Sequence, residues 1–335
     1  TGQNTLLYTG SNGARSLTGI GFSPDLVWLK NRTGTAQNHM LFDSVRGANL
    51  RLQSDNTATE YNQANSLISF DADGFSFGSS TGNLNASGST YVAWCWDAGS
   101  GSAGTNTDGD INSTVKANTT SGFSIVTYTG TGSATTVGHG LSSAPEMVMF
   151  KNRDGAYDWA TYHKDLTSAA YTVYLSLTYA QSTNSTVAKY YNSTDPTSTV
   201  FSIGASNNYT NLSSNKYIAY CFNSVAGYSK IGTYTGNGSA GNSVTGLGFQ
   251  PAWLMIKCSS TASTPWVIYD NTREPDNNNN DLVLQAQDGA AEIDGGGTTR
   301  AVTFDADGFT LDTTYGGNNG SGRTYIYMAF ADTRD

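Results

Sequence analysis

The chain carries three copies of one sequence pattern, and this internal repeat limits the possible folds more than any other feature. YTGSNG at 8–13 returns as YTGTGS at 128–133 and as YTGNGS at 234–239. Each copy opens a stretch of roughly a hundred residues, a period typical of repeated structural units. A chain that copies one unit usually builds length or presents copies of one surface. A single catalytic cleft is therefore not expected.

Other landmarks recur in the same order within each copy. A proline precedes a lysine by six residues across an apolar run, and a second apolar run closes the copy. The proline–lysine pairs are Pro24 with Lys30, Pro145 with Lys151 and Pro251 with Lys257, and the closing runs are YVAWCW at 91–96, YIAYCF at 217–222 and YIYMAF at 325–330. The identical spacing predicts the same arrangement of strands in all three copies.

These landmarks divide the 335 residues into three repeats and one joining segment, and each repeat is long enough to bury a core. The predicted bounds are 1–98 for repeat 1, 99–122 for the joining segment, 123–226 for repeat 2 and 227–335 for repeat 3. The joining segment is rich in Gly, Ser, Thr and Asn and is predicted to be a linker, with one edge strand near Val115. The second junction, 223–230, is much shorter. We therefore expect more motion of repeats 1 and 2 relative to each other than of repeats 2 and 3.

The closing runs predict strands that are covered on both faces. Alternate residues of a strand point to opposite sides, and both sets in each run are apolar. Clusters of Gly, Asn and Ser separate the apolar runs at spacings of about ten residues, which is typical of antiparallel sandwiches and not of parallel βαβ units. We therefore expect an all-β fold of three tandem antiparallel β-sandwich repeats with little helix.

Composition disfavours several classes of partner. The net charge is −9, and the 17 basic residues are scattered, so neither nucleic acid nor an anionic membrane surface is an expected partner. No apolar run approaches the roughly 18 residues of a membrane helix, so membrane insertion is not expected. The chain begins at Thr1 without a signal-type apolar segment, so a leader was removed or the chain belongs to a longer polypeptide.

The three cysteines predict no metal or redox chemistry. Cys95 and Cys221 occupy matching positions where the third copy has Ala329, so the site takes a small apolar group. Cys258 lies at the end of a strand. Because no CxxC or Cys/His spacing is present, all three are predicted to be free thiols, and no cofactor or metal is expected.

The motif FDADGF, at 70–75 and 304–309, resembles the start of a calcium loop. Neither copy has a glutamate at a suitable distance downstream. The alternative is a hairpin turn in which Asp and Gly supply the left-handed conformation. Repeat 2 reads TSTVFSIG at 197–204, which drops both aspartates and keeps Phe201, so the turn is favoured and a calcium site stays open as the alternative.

Two short motifs, DSVR and DNTR, pair an aspartate with an arginine three residues later. They place Asp43 with Arg46 and Asp270 with Arg273, while His163 takes the aspartate position in repeat 2. We expect a local ion pair that pins a loop. The alternative is a clamp for a carboxylate or sulfate ligand, which arginine can bind with two hydrogen bonds.

No catalytic residue is predicted. His39 aligns with Trp159 and Trp266, so its position is a bulky packing position, and no Ser/His/Asp triad can be assembled. A glycosidase needs two carboxylates at a set separation. Glu292 and Asp294 alternate on one strand face, but they lie in the glycine-rich turn sequence EIDGGG. Glycoside hydrolysis is therefore the less favoured function.

The combination of YTGxG, a GFxPDLVWLKNR-like strand, FDSVRG, FDADGF and YVAWCW resembles a repeat module of predicted tail-fibre and other virion-surface proteins of marine bacteriophages, including those of cyanobacteria. The resemblance covers nearly the whole chain in three copies and is weakest in repeat 2, which lacks DSVR and FDADGF. It implies a concanavalin-like or jelly-roll sandwich in an extracellular structural or adhesive protein. The strongest segments are 8–49, 67–77, 91–96, 114–133, 229–257 and 301–311.

Two functions compete on this basis. In the first, the protein is a phage tail-fibre or virion-appendage component that contacts host-surface glycans; in the second, it decorates a particle or builds a filament. Sugar sites combine an aromatic platform with amide and carboxylate hydrogen bonds, which exposed Tyr- and Asn-rich loops would offer. The alternative is that these residues are ordinary surface composition. The candidate ligand-binding residues are Tyr190, Tyr191 and Asn192 in repeat 2, and Asp276, Asn277, Asn278, Tyr315, Asn318 and Asn319 in repeat 3.

Self-association is the other expected partnership. Linked copies of a weak site raise apparent affinity by about 10²–10⁴ without new contacts. We therefore expect a homo-oligomer, a trimer in a tail fibre or a helical polymer in a filament. Its contacts should be neutral polar and aromatic, so that salt weakens them little.

Overall fold

A computed structural model describes residues 2–79 and 82–332, and the fold of these residues is all-β. Their strands are antiparallel, and they contain two single-turn 3-10 helices, Gly82–Leu84 and Val187–Lys189, and no α-helix. The prediction of an all-β fold with antiparallel sheets is confirmed.

Repeat 1 has one large sheet and two smaller ones. The large sheet contains β1 (Gln3–Thr9), β3 (Leu26–Asn31), β4 (Met40–Asp43) and β9 (Thr90–Trp96), in the spatial order β1-β9-β3-β4. The smaller sheets are β2 (Arg15–Thr18), β7 (Leu67–Asp71) and β8 (Gly74–Phe77), in the order β2-β8-β7, and the hairpin of β5 (Leu50–Arg51) and β6 (Tyr61–Asn62).

Repeat 2 keeps this plan, and the joining segment widens its large sheet. That sheet contains β10 (Gly104–Asn106), β11 (Ser113–Asn118), β12 (Phe123–Thr129), β14 (Met147–Asn152), β15 (Ala160–His163), β16 (Val173–Tyr174) and β18 (Lys216–Phe222), in the order β10-β11-β12-β18-β14-β15-β16. The small sheet pairs β13 (Thr135–Gly138) with β17 (Val200–Ile203).

Repeat 3 also has one large and one small sheet. The large sheet contains β19 (Ser229–Thr235), β21 (Pro251–Cys258), β22 (Trp266–Asp270), β23 (Leu282–Gln285), β24 (Ile293–Asp294) and β27 (Thr324–Ala331), in the order β19-β27-β21-β22-β23-β24. The small sheet contains β20 (Asn242–Thr245), β25 (Val302–Asp305) and β26 (Gly308–Leu311), in the order β20-β26-β25.

The closing strand of each repeat lies inside its large sheet, as its two apolar faces require. In β9 the side chains of Tyr91, Ala93 and Cys95 pack with the small sheet of the same repeat. The opposite face of β9 joins a core cluster that contains residues from all three repeats. All three cysteines are buried and unpaired, which confirms the prediction of free thiols.

The shared core has an aromatic triangle at its centre. Trp96, Phe222 and Phe330 occupy the same position in the three closing strands. Their ring centroids lie 6.3 Å (Trp96–Phe222), 5.8 Å (Trp96–Phe330) and 6.1 Å (Phe222–Phe330) apart. Each of the three closing strands therefore contacts both of the others.

Contacts between the repeats form a closed cycle. In each repeat a segment that we call the arm (52–60, 173–181 and 284–292) reaches the next repeat. The last residue of each arm donates its N–H to a carbonyl of that neighbour: Glu60 to Arg153 at 2.9 Å, Gln181 to Ser259 at 2.8 Å and Glu292 to Arg32 at 3.0 Å. The neighbour donates a ring N–H in return: Trp159 to Gln53 at 2.7 Å, Trp266 to Tyr174 at 2.8 Å and His39 to Gln285 at 2.8 Å.

The position that aligns His39 with Trp159 and Trp266 is therefore a hydrogen-bonding position as well as a packing position. The Nδ1 atom of His39 accepts from the Trp28 indole at 2.8 Å, which leaves the proton on Nε2 for the bond to the arm. Burial lowers the pKa of His39 to about 3, so the ring is neutral in the folded protein.

The joining segment 99–122 is not a bare linker. The strand predicted near Val115 is β11, but it is not an edge strand, because β10 pairs outside it. Lys116 of β11 forms a 2.6 Å ion pair with Asp25 of repeat 1. Strand pairing and this ion pair attach the segment to both repeats, and the expectation of greater motion between repeats 1 and 2 stays a prediction.

Candidate functional site

The candidate aromatic platform of repeat 2 is buried. Tyr190 and Tyr191 are 2% and 3% exposed, and their hydroxyls bond to Tyr174 at 3.2 Å and to Thr172 at 2.7 Å. Only Asn192 of this group is exposed. The expectation of exposed tyrosines is wrong because the two rings complete the core of repeat 2, which a local sequence pattern cannot show.

The asparagines near the end of repeat 3 brace a turn. Asn319 is fully buried and accepts the backbone N–H of Asn237 in the YTGNG turn at 3.1 Å. Asn85 and Asn211 do the same for the equivalent turns of repeats 1 and 2. Asn318 is also fully buried and bonds to the Tyr269 hydroxyl at 3.0 Å. The expectation that Asn318 and Asn319 are exposed is therefore wrong.

The remaining candidates of repeat 3 lie in two separate loops. Asp276 and Asn278 are exposed, and Asn277 is half-buried. Tyr315 is half-buried beneath the Arg300 guanidinium, whose carbon lies 4.6 Å from the ring centroid. In the described part of the chain, no contact between these residues joins the two loops into one pocket.

The glycine of each YTGxG turn is explained by a close approach of two backbone segments. A Cβ atom on Gly10 would lie 1.9 Å from the Ala86 carbonyl oxygen. The equivalent glycines, Gly130 and Gly236, would each meet a carbonyl oxygen at 2.3 Å. The most repeated motif in the chain is therefore structural.

The Asp–Arg pairs are buried between repeats and are not open clamps. Arg46 binds Asp43 inside the core, and the Tyr220 hydroxyl of repeat 2 donates to Asp43 at 2.7 Å. In repeat 3, Arg273 binds Asp270 at 2.6 Å, and the Trp94 indole of repeat 1 donates to the same carboxylate. Each pair joins two repeats, which is more than the predicted pinning of a loop.

The glutamate of the glycosidase candidate is also part of an interface. Glu292 binds Arg273 at 2.9 Å and Arg32 of repeat 1 at 2.8 Å, while Asp294 is exposed. Glu60 makes the equivalent bridge between Arg46 and Arg153. Both oxygens of the Glu292 carboxylate are therefore engaged by arginines at the interface between repeats 1 and 3.

The FDADGF turns use their second aspartate to hold a neighbouring loop. Asp73 accepts the backbone N–H groups of Gly19 at 3.0 Å and Gly21 at 2.6 Å. Asp307 does the same for Gly246 and Gly248. In residues 2–79 and 82–332 no group of three or more His, Cys, Asp or Glu side chains could hold a metal ion. The turn interpretation accounts for both motifs.

A polar cleft of about 390 Å³ lies where the joining segment widens the sheet of repeat 2. Thr105, Thr114 and Thr127 line it from three adjacent strands, and the strand register places them directly opposite one another. Residues opposite each other in an antiparallel sheet share a face, and neighbouring strands lie about 4.8 Å apart. The cleft floor is therefore a row of threonine hydroxyls.

A second row of polar side chains continues the floor. Thr129 lies opposite Lys216, and Asn112 and Arg153 also line the cleft. The side chains of Thr105, Thr114, Thr127 and Thr129 make no hydrogen bond to another residue in the described part of the chain. These hydroxyls are available to a ligand, and each can donate and accept.

The sequence signal for this cleft is spread over three short polar strings that are distant from one another in the chain. The strings TNT at 105–107, NST at 112–114 and TYT at 127–129 each place polar side chains two residues apart, and so on one strand face. They form a surface only because the joining segment pairs with β12. That pairing exists in repeat 2 alone, since β1 and β19 end their sheets.

The chain belongs to the family described as "Domain of unknown function (DUF7483)", which it matches over residues 3–334. The match spans all three repeats as one unit. Comparison with curated proteins found no match, and neither did comparison with solved structures. Among the described residues, none of the helices has the length and apolar character to span a membrane.

Proposed function

We propose that this protein is a non-catalytic adhesive component of an extracellular appendage, a phage tail fibre or similar virion-surface structure, and that the cleft of repeat 2 contacts host-surface glycans. The row of unpaired threonine hydroxyls carries the proposal. A saccharide offers many hydroxyls, and a surface that can both donate and accept suits such a ligand. The sequence resemblance supplies the virion setting.

The rest of the molecule supports a binding role without a chemical step. The charged groups that could serve catalysis, Glu292 and the two Asp–Arg pairs, hold the repeats together.

For the architecture, we propose three β-sandwich repeats of the jelly-roll or concanavalin type. Each large sheet buries one face against the small sheet of its own repeat, in three separate clusters. The other face supplies the shared core. Three sandwiches closed into a ring would give a rigid body, which suits a protein that transmits force between a particle and a cell.

A glycan array with the whole chain tests the proposed function. We expect binding that the double variant Thr114→Val, Thr127→Val weakens by about thirtyfold, because each lost hydroxyl removes a hydrogen bond worth about 1 kcal/mol. The matched control is Thr18→Val with Thr245→Val, which changes two exposed strand threonines outside the cleft.

Equal binding by both double variants would show that the cleft is not the contact surface. A chain that binds no glycan and instead associates with its own copies or with purified particles would favour the decoration or filament function. Immunogold labelling of particles from the native source tests the setting separately.

A further inference from the structure

We propose that the ligand of the cleft carries an anionic group, a carboxylate or sulfate ester on the saccharide, and that Lys216 and Arg153 bind it. This inference rests on the proposed glycan contact and names the class of glycan. The two cations lie side by side, because Arg153 directly follows β14 and its backbone N–H donates at 2.8 Å to the carbonyl of Lys216, the first residue of β18. Adjacent positions across a sheet place side chains about 5 Å apart on one face.

Both side chains have donors to spare. The Lys216 side chain is exposed, and its ammonium has no hydrogen bond or ion pair within the described part of the chain. Arg153 uses Nε and Nη2 for the Glu60 carboxylate at 2.8 and 2.9 Å, and its Nη1 makes no such bond. The arginine is thus oriented by its ion pair and presents one remaining nitrogen to the cleft.

The cleft is rich in donors and has no carboxylate in its lining. Two acidic groups that contact these residues are already engaged: Glu60 binds Arg153, and Asp154 accepts the backbone N–H of Lys216 at 2.7 Å. A donor-rich lining suits a ligand that is itself a strong acceptor, which an anionic group is.

Matched pairs of polymers test the charge directly. Dextran sulfate is compared with dextran, and polygalacturonate with its fully methyl-esterified form, by titration calorimetry with the whole chain at low and high salt. The variants are Lys216→Gln, which removes the charge, and Lys216→Arg, which keeps it. Lys189→Gln removes an exposed charge elsewhere in repeat 2 and serves as the control. Arg153 is left unchanged because its ion pair joins two repeats.

We expect at least one charged polymer to bind about tenfold or more tightly than its neutral partner. Lys216→Gln should lose about tenfold in affinity for that polymer, Lys216→Arg should keep most of it, and Lys189→Gln should bind as the wild type does. Added salt should weaken the wild type more than Lys216→Gln.

Two results would overturn the anionic ligand while leaving the glycan contact intact. One is equal binding of charged and neutral polymers that depends on Thr114 and Thr127 but not on Lys216. The other is an equal loss in Lys216→Gln and Lys189→Gln, which would show diffuse electrostatic attraction. Failure to bind either these polymers or the array glycans would refute the proposed function as well.

Discussion

Three lysines at the end of the proline–lysine spacing are buried beside the shared core. Lys30, Lys151 and Lys257 are 1%, 0% and 0% exposed. Each ammonium donates to the carbonyl of the next residue, at 2.9, 2.7 and 2.7 Å respectively. Burial lowers the pKa of each to about 8, since the charged form loses its hydration. The identical spacing in the sequence thus marks a structural cation at the end of the strand, whose second bond is to the following loop for Lys151 and Lys257 and to Gly289 in the arm of repeat 3 for Lys30.

This shift predicts a pH-dependent contribution to stability. The pKa of Lys257 is 10.5 when unperturbed and about 8 in the fold, so between these values the unfolded chain binds more protons and stability rises with pH. From pH 8 to pH 10 the wild type should therefore gain about 2 kcal/mol in unfolding free energy relative to Lys257→Met, which lacks this ionisable group.

Urea unfolding of both proteins at each pH measures this difference. Comparison at equal pH cancels the ionisation of cysteines and tyrosines common to both chains. Lys189→Met, at an exposed site, should show a flat difference over the same range. A flat difference for Lys257→Met would contradict the assignment.

At the scale of elements, the outermost strands of two large sheets are protected by side chains. Unpaired strand edges invite pairing with other chains, and proteins usually block them. In repeat 2 the joining segment covers β12. On β1 of repeat 1, the Asn4 side chain accepts the N–H of Thr5 at 2.8 Å, and Arg15 donates to the carbonyl of Thr9 at 2.7 Å. On β19 of repeat 3, the Ser224 hydroxyl accepts the N–H of Ile231 at 2.9 Å, and Asn242 donates to the carbonyl of Thr235 at 3.1 Å. Strand addition at β1 and β19 is therefore disfavoured, and a homo-oligomer that uses these edges should form through side chains.

The turn-bracing asparagines give a second test at this scale. Asn319 bonds through its amide nitrogen to the carbonyls of Ser239 and Thr313, at 2.8 and 2.7 Å, and accepts from the turn. Asn319→Ala should lower the free energy of unfolding by about 2–4 kcal/mol, because it leaves several buried groups unsatisfied. Asn278→Ala, at an exposed site, should change it by less than about 0.5 kcal/mol. Thermal unfolding of both variants measures these changes. An equally small loss of stability in both variants would contradict the bracing role of Asn319 and make it a candidate ligand-binding residue again.

At the scale of the whole molecule, the shared core couples the three repeats. A repeat separated from the others would expose the face of its closing strand, such as Ile218, Tyr220 and Phe222 in repeat 2. The buried ion pairs also cross from one repeat to another, and a charge left unpaired in a core is costly. We therefore expect the chain to unfold as one unit.

Phe222→Ala at the central triangle tests this coupling. The cavity should lower the free energy of unfolding by about 3–5 kcal/mol. Scanning calorimetry should show a single transition at a lower temperature, and hydrogen exchange should quicken in β9 and β27 as well as in β18. Separate transitions, with repeats 1 and 3 unchanged, would show that the repeats are independent domains.

The sequence by itself determined what depends on neighbouring residues. Alternating apolar side chains marked the closing strands, and the proline–lysine spacing marked their partners. The replacement of two cysteines by Ala329 identified a small buried position. These features are local, since strand periodicity and turn chemistry involve only a few consecutive residues. The all-β class and the matching strand orders could therefore be predicted.

Only the tertiary structure decided what each strand face covers. Tyr190 and Tyr191 have the composition of a surface platform, yet contacts with distant strands bury them. Asp43 and Arg46 pair locally, but Tyr220 from another repeat makes the pair an interface. The cleft likewise exists because a polar joining segment completes a sheet. Burial and ligand access depend on contacts between residues far apart in the chain, and a repeated local pattern does not specify which copies meet.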